Sequence, residues 1–386
     1  MPEPYLASYG SSPYEKISPD CHETVWHLVA AVRDCLARAG LTPSDVDGLA
    51  LASFSYPPGN VITLAEMLSL RLRWCEEGQT GGAAGVQLVG HAADQVRLGR
   101  ARCALVVCGD AFRPGDHARL LENFAPAMRD HIGPHGFGGA NGLLAMLQTR
   151  HAHLHGTRRD QLARLCVTQR EHALLNPNAL FDRPLTVEQV LDARPIAEPF
   201  HLFDCVMPCS GAEAVLVVSE DVSRALARPP VRLRAMREIH NSAPDELSSL
   251  DPGWRTVGDE LWAETGYGPG DVDLAELYDD YPIAVGLQLE GYGFCREGGC
   301  GPFLESTDVS IRGSLPINTG GGQLSVGQSG AGGGLIHVTE AVQQLQGEAG
   351  ARQVADARVG LVSGYGYISY GKGMCVAAAV LERGDA

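Results

Sequence analysis

The sequence predicts an α/β fold in which one supersecondary unit is written twice, and three observations carry this. The word G-L-T-P-S-D-V-D, from Gly40 to Asp47, recurs 226 residues later as G-Y-G-P-G-D-V-D, from Gly266 to Asp273. In the same register, Thr80-Gly81-Gly82 precedes an apolar helix and the run Ala101 to Cys108, while Thr319-Gly320-Gly321 precedes a helix and the run Ala357 to Val362. Apolar stripes at helical spacing also alternate with short buried-type runs along the chain. Each half should therefore be an open sheet covered by helices, the two packed about a pseudo-twofold axis.

The first helix follows from Val25, Leu28, Val29, Val32 and Leu36 on one face, with Ser18 and Asp20 offering caps and Gly40 stopping it. A strand is expected over Leu49 to Leu51, and its counterpart over Ala275 to Tyr278. Between Asp110 and about Pro199 the first half carries a long extra segment, with turn signals at Pro114-Gly115, Gly133 to Gly139 and Asn176-Pro177. Long insertions at strand ends usually build binding sites. Strands are expected over Ala214 to Ser219 and Val231 to Ile239, and the word A-R-P-P between them marks the junction. The expected organisation is a first half at 1–228, with its insertion at about 111–199, and a second half at 229–386.

Composition sets the outer bounds. With 386 residues, 45% of them apolar and 20% charged, the chain has the balance of an enzyme with a large core. A net charge of −16 and the lack of a basic run argue against nucleic acid as a partner. No apolar run approaches a membrane span and no signal pattern opens the sequence, so a cytoplasmic location is expected. Eleven cysteines without regular spacing read as small buried hydrophobes rather than zinc ligands. His151, His153 and His155 have no carboxylate spaced to join them and read as a solvated patch.

The densest signal is Asn318 to Gly334, N-T-G-G-G-Q-L-S-V-G-Q-S-G-A-G-G-G, ahead of an apolar helix. So many glycines imply tight turns and close approach, followed by free helix N–H groups that suit an anion or oxyanion. A flexible linker is the plainer alternative, but a linker is rarely followed directly by an amphipathic helix and a buried-type strand.

Together, the duplicated halves, the N-T-G-G word, Asn176-Pro177 with Ile196 to Cys205, and L-Y-D-D-Y-P-I from Leu277 resemble the thiolase superfamily over essentially the whole chain. The likeness is specifically to the sterol-carrier-protein-type thiolases and their lipid-transfer-protein relatives, and within these to the steroid side-chain aldolases. The resemblance implies a five-layered α-β-α-β-α architecture, a coenzyme A thioester substrate, no further cofactor and a homodimer. The chemical positions depart from a thiolase. G-G-A-A-G puts Gly82 where the nucleophilic cysteine would stand, and Tyr278-Asp279 replaces a His-Asp pair. Gln328 replaces a histidine in G-Q-S, and Tyr365 or Tyr367 falls in the region of the last histidine. Steroid side-chain aldolases share the missing cysteine and the L-Y-D word. In them the tyrosine aligned with Tyr278 is thought to be catalytic, as is a second one where this chain has Gln328. Their resemblance also implies a zinc-ribbon/OB-fold partner that completes the acyl-CoA site.

Thiolysis needs a sulfur nucleophile and a hole for a thioester enolate. Without the sulfur, only chemistry through the enolate remains, and retro-aldol cleavage of a 3-hydroxyacyl-CoA is such a reaction. Tyr278 is assigned to the hydroxyl proton, and needs donors or a cation nearby because a free phenol titrates near 10. Asp279 is either a structural acceptor or the end of a proton relay. Gln328 and the Gly320, Gly321 and Gly322 amides are candidates for the enolate hole, with Gly82 and Gly330 at its edge; Asn318 either shares that role or holds the loop. His131 and His135 could reach a coenzyme A phosphate or the reacting centre, whereas His337 reads as helix packing. Two alternatives stay open: an acyltransferase or thiolase whose nucleophile has moved, to Cys375 for instance, and a catalytically silent acyl-CoA-binding subunit.

Overall fold

The computed structural model describes residues 3–56, 60–123, 128–136, 139–246, 248–369 and 372–384. In the first half, β1 (Pro4–Ser11) and the two-residue β2 (Glu15–Lys16) precede α1 (Thr24–Ala39), β3 (Gly48–Ala52), α2 (Val61–Met67) and β4 (Trp74–Glu77). Then come α3 (Ala84–Arg97) and β5 (Cys103–Asp110). The insertion holds α4 (Asp116–Asn123), α5 (Gly139–His155), α6 (Arg159–Ala173), α7 (Val187–Asp192) and a ribbon of β6 (Pro195–Ala197) and β7 (Phe200–His201). β8 (Cys209–Ser219), α8 (Glu220–Ala225) and β9 (Val231–His240) lead into the second half. There α9 (Trp254–Thr265), β10 (Leu274–Glu276), α10 (Pro282–Gly291), α11 (Cys300–Ser306), α12 (Gly322–Val326), α13 (Ile336–Leu345), β11 (Val359–Ser369) and β12 (Lys372–Arg383) follow.

The strands run in the order β10-β11-β12-β9-β1-β8-β5-β3-β4. β1 and β9 meet antiparallel through Tyr5 opposite Arg232 and Leu6 opposite Val231, so corresponding strands join the halves. β3 pairs parallel with β5, as β10 does with β11.

Side-chain alternation along the strands builds the layers. Leu105 and Val107 pack outward against α1 and α2, while Ala104 and Val106 face a core shared with α3, α13, β9 and β12. On the far side, Val376, Ala378 and Val380 pack against α9 and α10. The result is helix, sheet, paired central helices, sheet, helix, the layering the resemblance implies.

The repeated words occupy equivalent places for an identifiable reason. Asp45 accepts the Thr42 N–H and Asp271 the Gly268 N–H, closing the same turn twice. Asp47 accepts the amides of Arg102 and Cys103, and Asp273 those of Arg358 and Val359, so each word pins a strand to its parallel neighbour.

Boundaries differ from the sequence expectation where local patterns were incomplete. α1 starts at Thr24 with no side-chain cap from Ser18 or Asp20, whereas Gly40 does end it in the left-handed region at φ 67°. β5 and β11 begin two residues later than the expected runs, β10 ends at Glu276, and β8 starts five residues earlier than Ala214.

Candidate active site

The two glycine elbows meet backbone to backbone at the centre of the molecule. A Cβ on Gly334 would fall 2.5 Å from the Gly82 carbonyl oxygen, and one on Gly85 would fall 2.3 Å from that of Gly334. β11 crosses the same point: Cβ atoms on Gly364 and Gly366 would come within 2.8 Å of Gly82 O and 2.5 Å of Gly82 N. The alternation in G-Y-G-Y thus sends glycine toward the elbow and Tyr365 away from it, against the Trp254 ring at 4.9 Å.

Over this junction lies a cavity of about 560 Å³ whose wall includes Gly82, Tyr278, Gln328, Gly330, Tyr365 and Tyr367. Leu120, Leu121, Phe181 and Ile196 from the insertion, with Phe203 and Val206 just after it, close it with apolar surface. Among the described residues lining it there is no lysine or arginine.

Tyr278 stands where a side chain on Gly82 would have to be. An added Cβ would lie 2.2 Å from the phenol Cζ and 2.4 Å from its oxygen. The phenol is buried, and burial, then Asp280, push its pKa well above 10. The Gln328 and Gln323 side chains act the other way through hydrogen bonding, Asp279 raises it further, and the balance leaves a neutral phenol. Tyr278 also lies edge-on to Tyr365 and His337, each ring centroid 6.3 Å away.

The extended backbone after β10 places alternate residues on opposite sides. Tyr278 and Asp280 line the cavity. Asp279 points away, where Oδ1 accepts the Gln323 N–H at 2.9 Å and Oδ2 accepts the Leu324 N–H at 3.2 Å and the Gln169 amide at 2.6 Å. The Asp279 carboxylate therefore anchors the start of α12, and a Cβ on Gly322 (φ 58°) would strike it at 2.1 Å. His337 is more than helix packing: fully enclosed, its Nε2 lies 3.1 Å from Asp279 and its Nδ1 3.8 Å from Glu276. Burial alone would lower its pKa, but the two carboxylates raise it to about 9.

Several residues expected at the site lie elsewhere. Asn318 is fully buried behind the wall and binds Leu277 twice, its Oδ1 accepting the N–H at 2.7 Å and its Nδ2 donating to the carbonyl at 2.9 Å. Gly320 faces Glu340, and Gly321 (φ 103°) packs on the Ala173 backbone, so neither amide borders the cavity. His135 is exposed and outside the lining; His117, half-buried on α4, takes a place in the wall instead. Gly330 (φ 60°) is at the wall because Asp110 crowds it, the carboxylate also accepting the Ala331 N–H at 2.7 Å. Tyr365 already uses its hydroxyl to accept the Gly373 N–H at 2.6 Å. Tyr367 holds the left-handed region at φ 60°, a conformation costly for an aromatic residue and concentrated at functional sites. Tyr370, the third tyrosine of that run, lies outside the described residues.

Of the histidine patch, His153 and His155 are exposed as expected, and His151 departs from it. His151 is buried, paired with Glu290 at 3.0 Å and Thr157 at 2.8 Å, and Cys300 joins them within 4.8 Å. Glu290 further accepts the Gly298 and Cys300 amides, so hydrogen bonds already account for this cluster. Of the cysteines, Cys375 is buried in β12 off the cavity, its thiol pushed up to about 11 by burial and then Glu238. Cys205 does reach the wall, but burial, Asp204 and Asp280 push it up to about 12. A thiol held protonated is a poor nucleophile.

Comparison with known proteins gives the family. Residues 237–381 match the family described as thiolase C-terminal domain-like. The chain is 34% identical over 337 residues to a 17-hydroxy-3-oxo-4-pregnene-20-carboxyl-CoA lyase of Mycobacterium tuberculosis, covering 82% of this chain and 85% of that protein. It is 33% identical over 339 residues to a steroid side-chain-cleaving aldolase of Thermomonospora curvata, covering 82% and 84%. A solved Ltp2-ChsH2(DUF35) aldolase superposes with a TM-score of 0.82 and 28% identity over 99% of this chain and 98% of that one. The thiolase-like fold and these relatives together define the class. The chain belongs to the thiolase superfamily, within the group that holds the steroid side-chain-cleaving aldolases.

Proposed function

We propose that the protein is a carbon–carbon lyase that cleaves a 3-hydroxyacyl-CoA, with a steroid side-chain thioester as the favoured substrate. The products are a ketone or aldehyde and a shorter acyl-CoA. The carrying observation is the phenol of Tyr278 in the volume a Gly82 side chain would need, 2.4 Å from the added Cβ. No acyl group can be passed to a sulfur there, while the elbow that would face an enolate is kept. Names of the relatives support the substrate class, one a 17-hydroxy-3-oxo-4-pregnene-20-carboxyl-CoA lyase and one a steroid side-chain-cleaving aldolase. The largely apolar wall suits a ring system.

In the reaction, the proton leaves the 3-hydroxyl, the C2–C3 bond breaks, its electron pair forms the thioester enolate, and C2 is reprotonated. Tyr278 handles the hydroxyl proton as a neutral phenol, holding the 3-oxygen while it becomes a carbonyl. Gln328, beside the Tyr278 phenol, donates to the enolate oxygen; one such donor typically supplies about 3 kcal/mol. Tyr365 and Tyr367 shape the pocket. Coenzyme A enters only as part of the substrate.

Among the described residues lining the cavity none is lysine or arginine, and a second chain would supply contacts to the coenzyme A phosphates. The name of the solved neighbour includes a DUF35 chain, and a zinc-ribbon/OB-fold partner fits that role here. A homodimer located in the cytoplasm completes the proposal; among the described residues no helix is long and apolar enough to cross a membrane.

One observation favours a second function: Cys205 in the cavity wall could carry an acyl group. The deciding experiment is turnover of a 3-hydroxyacyl-CoA by the chain with its partner, before and after iodoacetamide. Cleavage without free coenzyme A that survives alkylation supports the lyase; cleavage that needs free coenzyme A and is lost on alkylation supports acyl transfer.

A further inference from the structure

The geometry points to Asp280 as the general base of the proposed lyase, the group that accepts the 3-hydroxyl proton and returns it to C2. This rests on the lyase function above and names a residue for a step that Tyr278 cannot complete alone. A phenol kept neutral by its surroundings can hold or pass a proton, but it cannot be where the proton is stored.

Asp280 differs from its neighbour in every respect that matters for catalysis. Asp279 is saturated by backbone and side-chain donors and faces α12. Asp280, two residues from Tyr278 on the same side of an extended segment, is only 5% exposed and lines the cavity. Its Oδ1 is buried without a hydrogen-bond partner. A buried carboxylate oxygen left open costs stability, and such an atom is kept where a ligand completes it.

The surroundings give it a suitable proton affinity. Burial, then the charge of Asp279, raise the Asp280 pKa to about 8, with backbone amides of Tyr281 and Asp280 opposing them. The other titratable groups facing it are Tyr278 and Tyr281 on its own segment, Tyr365 on β11 and Cys205 from the loop after β7, all of them kept protonated by burial. A base poised near the working pH accepts and gives back a proton with little loss either way.

The step balances without a co-reactant. The 3-hydroxyl proton passes through the Tyr278 hydroxyl to the Asp280 carboxylate as the C2–C3 bond breaks. The electron pair of that bond becomes the enolate, the C3 oxygen becomes a carbonyl, and the carbonyl product leaves. The Asp280 carboxyl then gives the same proton to C2, which restores the carboxylate.

The test uses the chain with its partner and compares wild type with Asp280→Asn and Asp280→Glu. Two readouts are taken: cleavage of a 3-hydroxyacyl-CoA across pH 6 to 9.5, and deuterium exchange at C2 of acetyl-CoA or butyryl-CoA in heavy water. Asp280→Asn is expected to keep its melting temperature and acyl-CoA affinity, to lose at least 100-fold in kcat, and to lose the rise of kcat/KM toward pH 8 together with C2 exchange. Asp280→Glu, which keeps the carboxyl, is expected to retain the pH-dependent limb and measurable exchange even at a lower rate. If Asp280→Asn keeps a third or more of kcat with the limb and exchange intact, while Tyr278→Phe is inactive, the base assignment is overturned and the lyase function stands. If wild type cleaves no hydroxyacyl-CoA but exchanges C2 protons in an Asp280-dependent way, the lyase function falls and Asp280 stands as the base. Absence of both activities in wild type overturns both.

Discussion

The phenol of Tyr278 and the bare Cα of Gly82 are a matched pair: a Cβ on the glycine would overlap the ring at 2.2 Å. A side chain at 82 and a ring at 278 cannot share that volume. Gly82→Cys, which restores the thiolase nucleophile on paper, is therefore expected to yield no thiolytic activity. It should cost about 2 kcal/mol or more by overpacking, since the ring has the buried Tyr365 and His337 around it. A melting curve and a thiolysis assay with an added 3-ketoacyl-CoA check both points.

Tyr278→Phe removes one oxygen from a site already shaped around a ring. Its expected effect is a fall in kcat of roughly 10² to 10³, the usual range for loss of a group that moves or holds a proton in the transition state. The fold should be nearly unaffected. Steady-state kinetics beside a thermal melt separate this from the outcome expected if the ring were only core, which is unchanged turnover.

Asp279 and His337 make a buried ion contact that serves the loop rather than the chemistry. Asp279→Ala leaves a buried imidazolium short of one partner and removes the anchor of α12, at a cost of about 3 kcal/mol. The pH dependence has a definite sign. His337 is raised in the folded state to about 9 against an ordinary value near 6.5, so its contribution is full below pH 6.5 and lost as pH rises toward 9. The stability difference between wild type and His337→Asn, followed by chemical denaturation, should be flat below pH 6.5 and shrink from there to pH 9.

The architecture was largely legible in the sequence, because the features that encode it are local. The Asp47 and Asp273 words each bond to a neighbouring strand start, and the glycine runs mark points where backbones touch. Part of the cavity lining was legible for the same reason: Gly82, Tyr278, Gln328 and Gly330 all belong to the two elbows and the segment beside them. What could not be read was direction. Nothing in N-T-G-G tells that Asn318 turns back to Leu277, or that Gly320 and Gly321 serve Glu340 and Ala173. Within the insertion, His117 and His135 are equivalent as words, and only the course of α4 brings the first to the cavity. The place of Asp280 in the cavity wall was hidden by its neighbour; period-two alternation after β10 was the signal that separates Tyr278 and Asp280 from Asp279.

Cys205 provides the sharpest check on the chemistry, because it is a cysteine in the cavity wall. A nucleophile there would need its thiolate, yet burial, then the charges of Asp204 and Asp280, push this half-buried thiol up to about 12. Cys205→Ser is expected to leave kcat within about threefold, and iodoacetamide to act slowly at pH 7.5. Trapping with an acyl-CoA followed by acid quench and intact-mass measurement should show no acyl adduct on wild type. An adduct that disappears in Cys205→Ser would move the protein from the lyases to the acyltransferases, and the phenol at Gly82 would then be only a filler of vacated space.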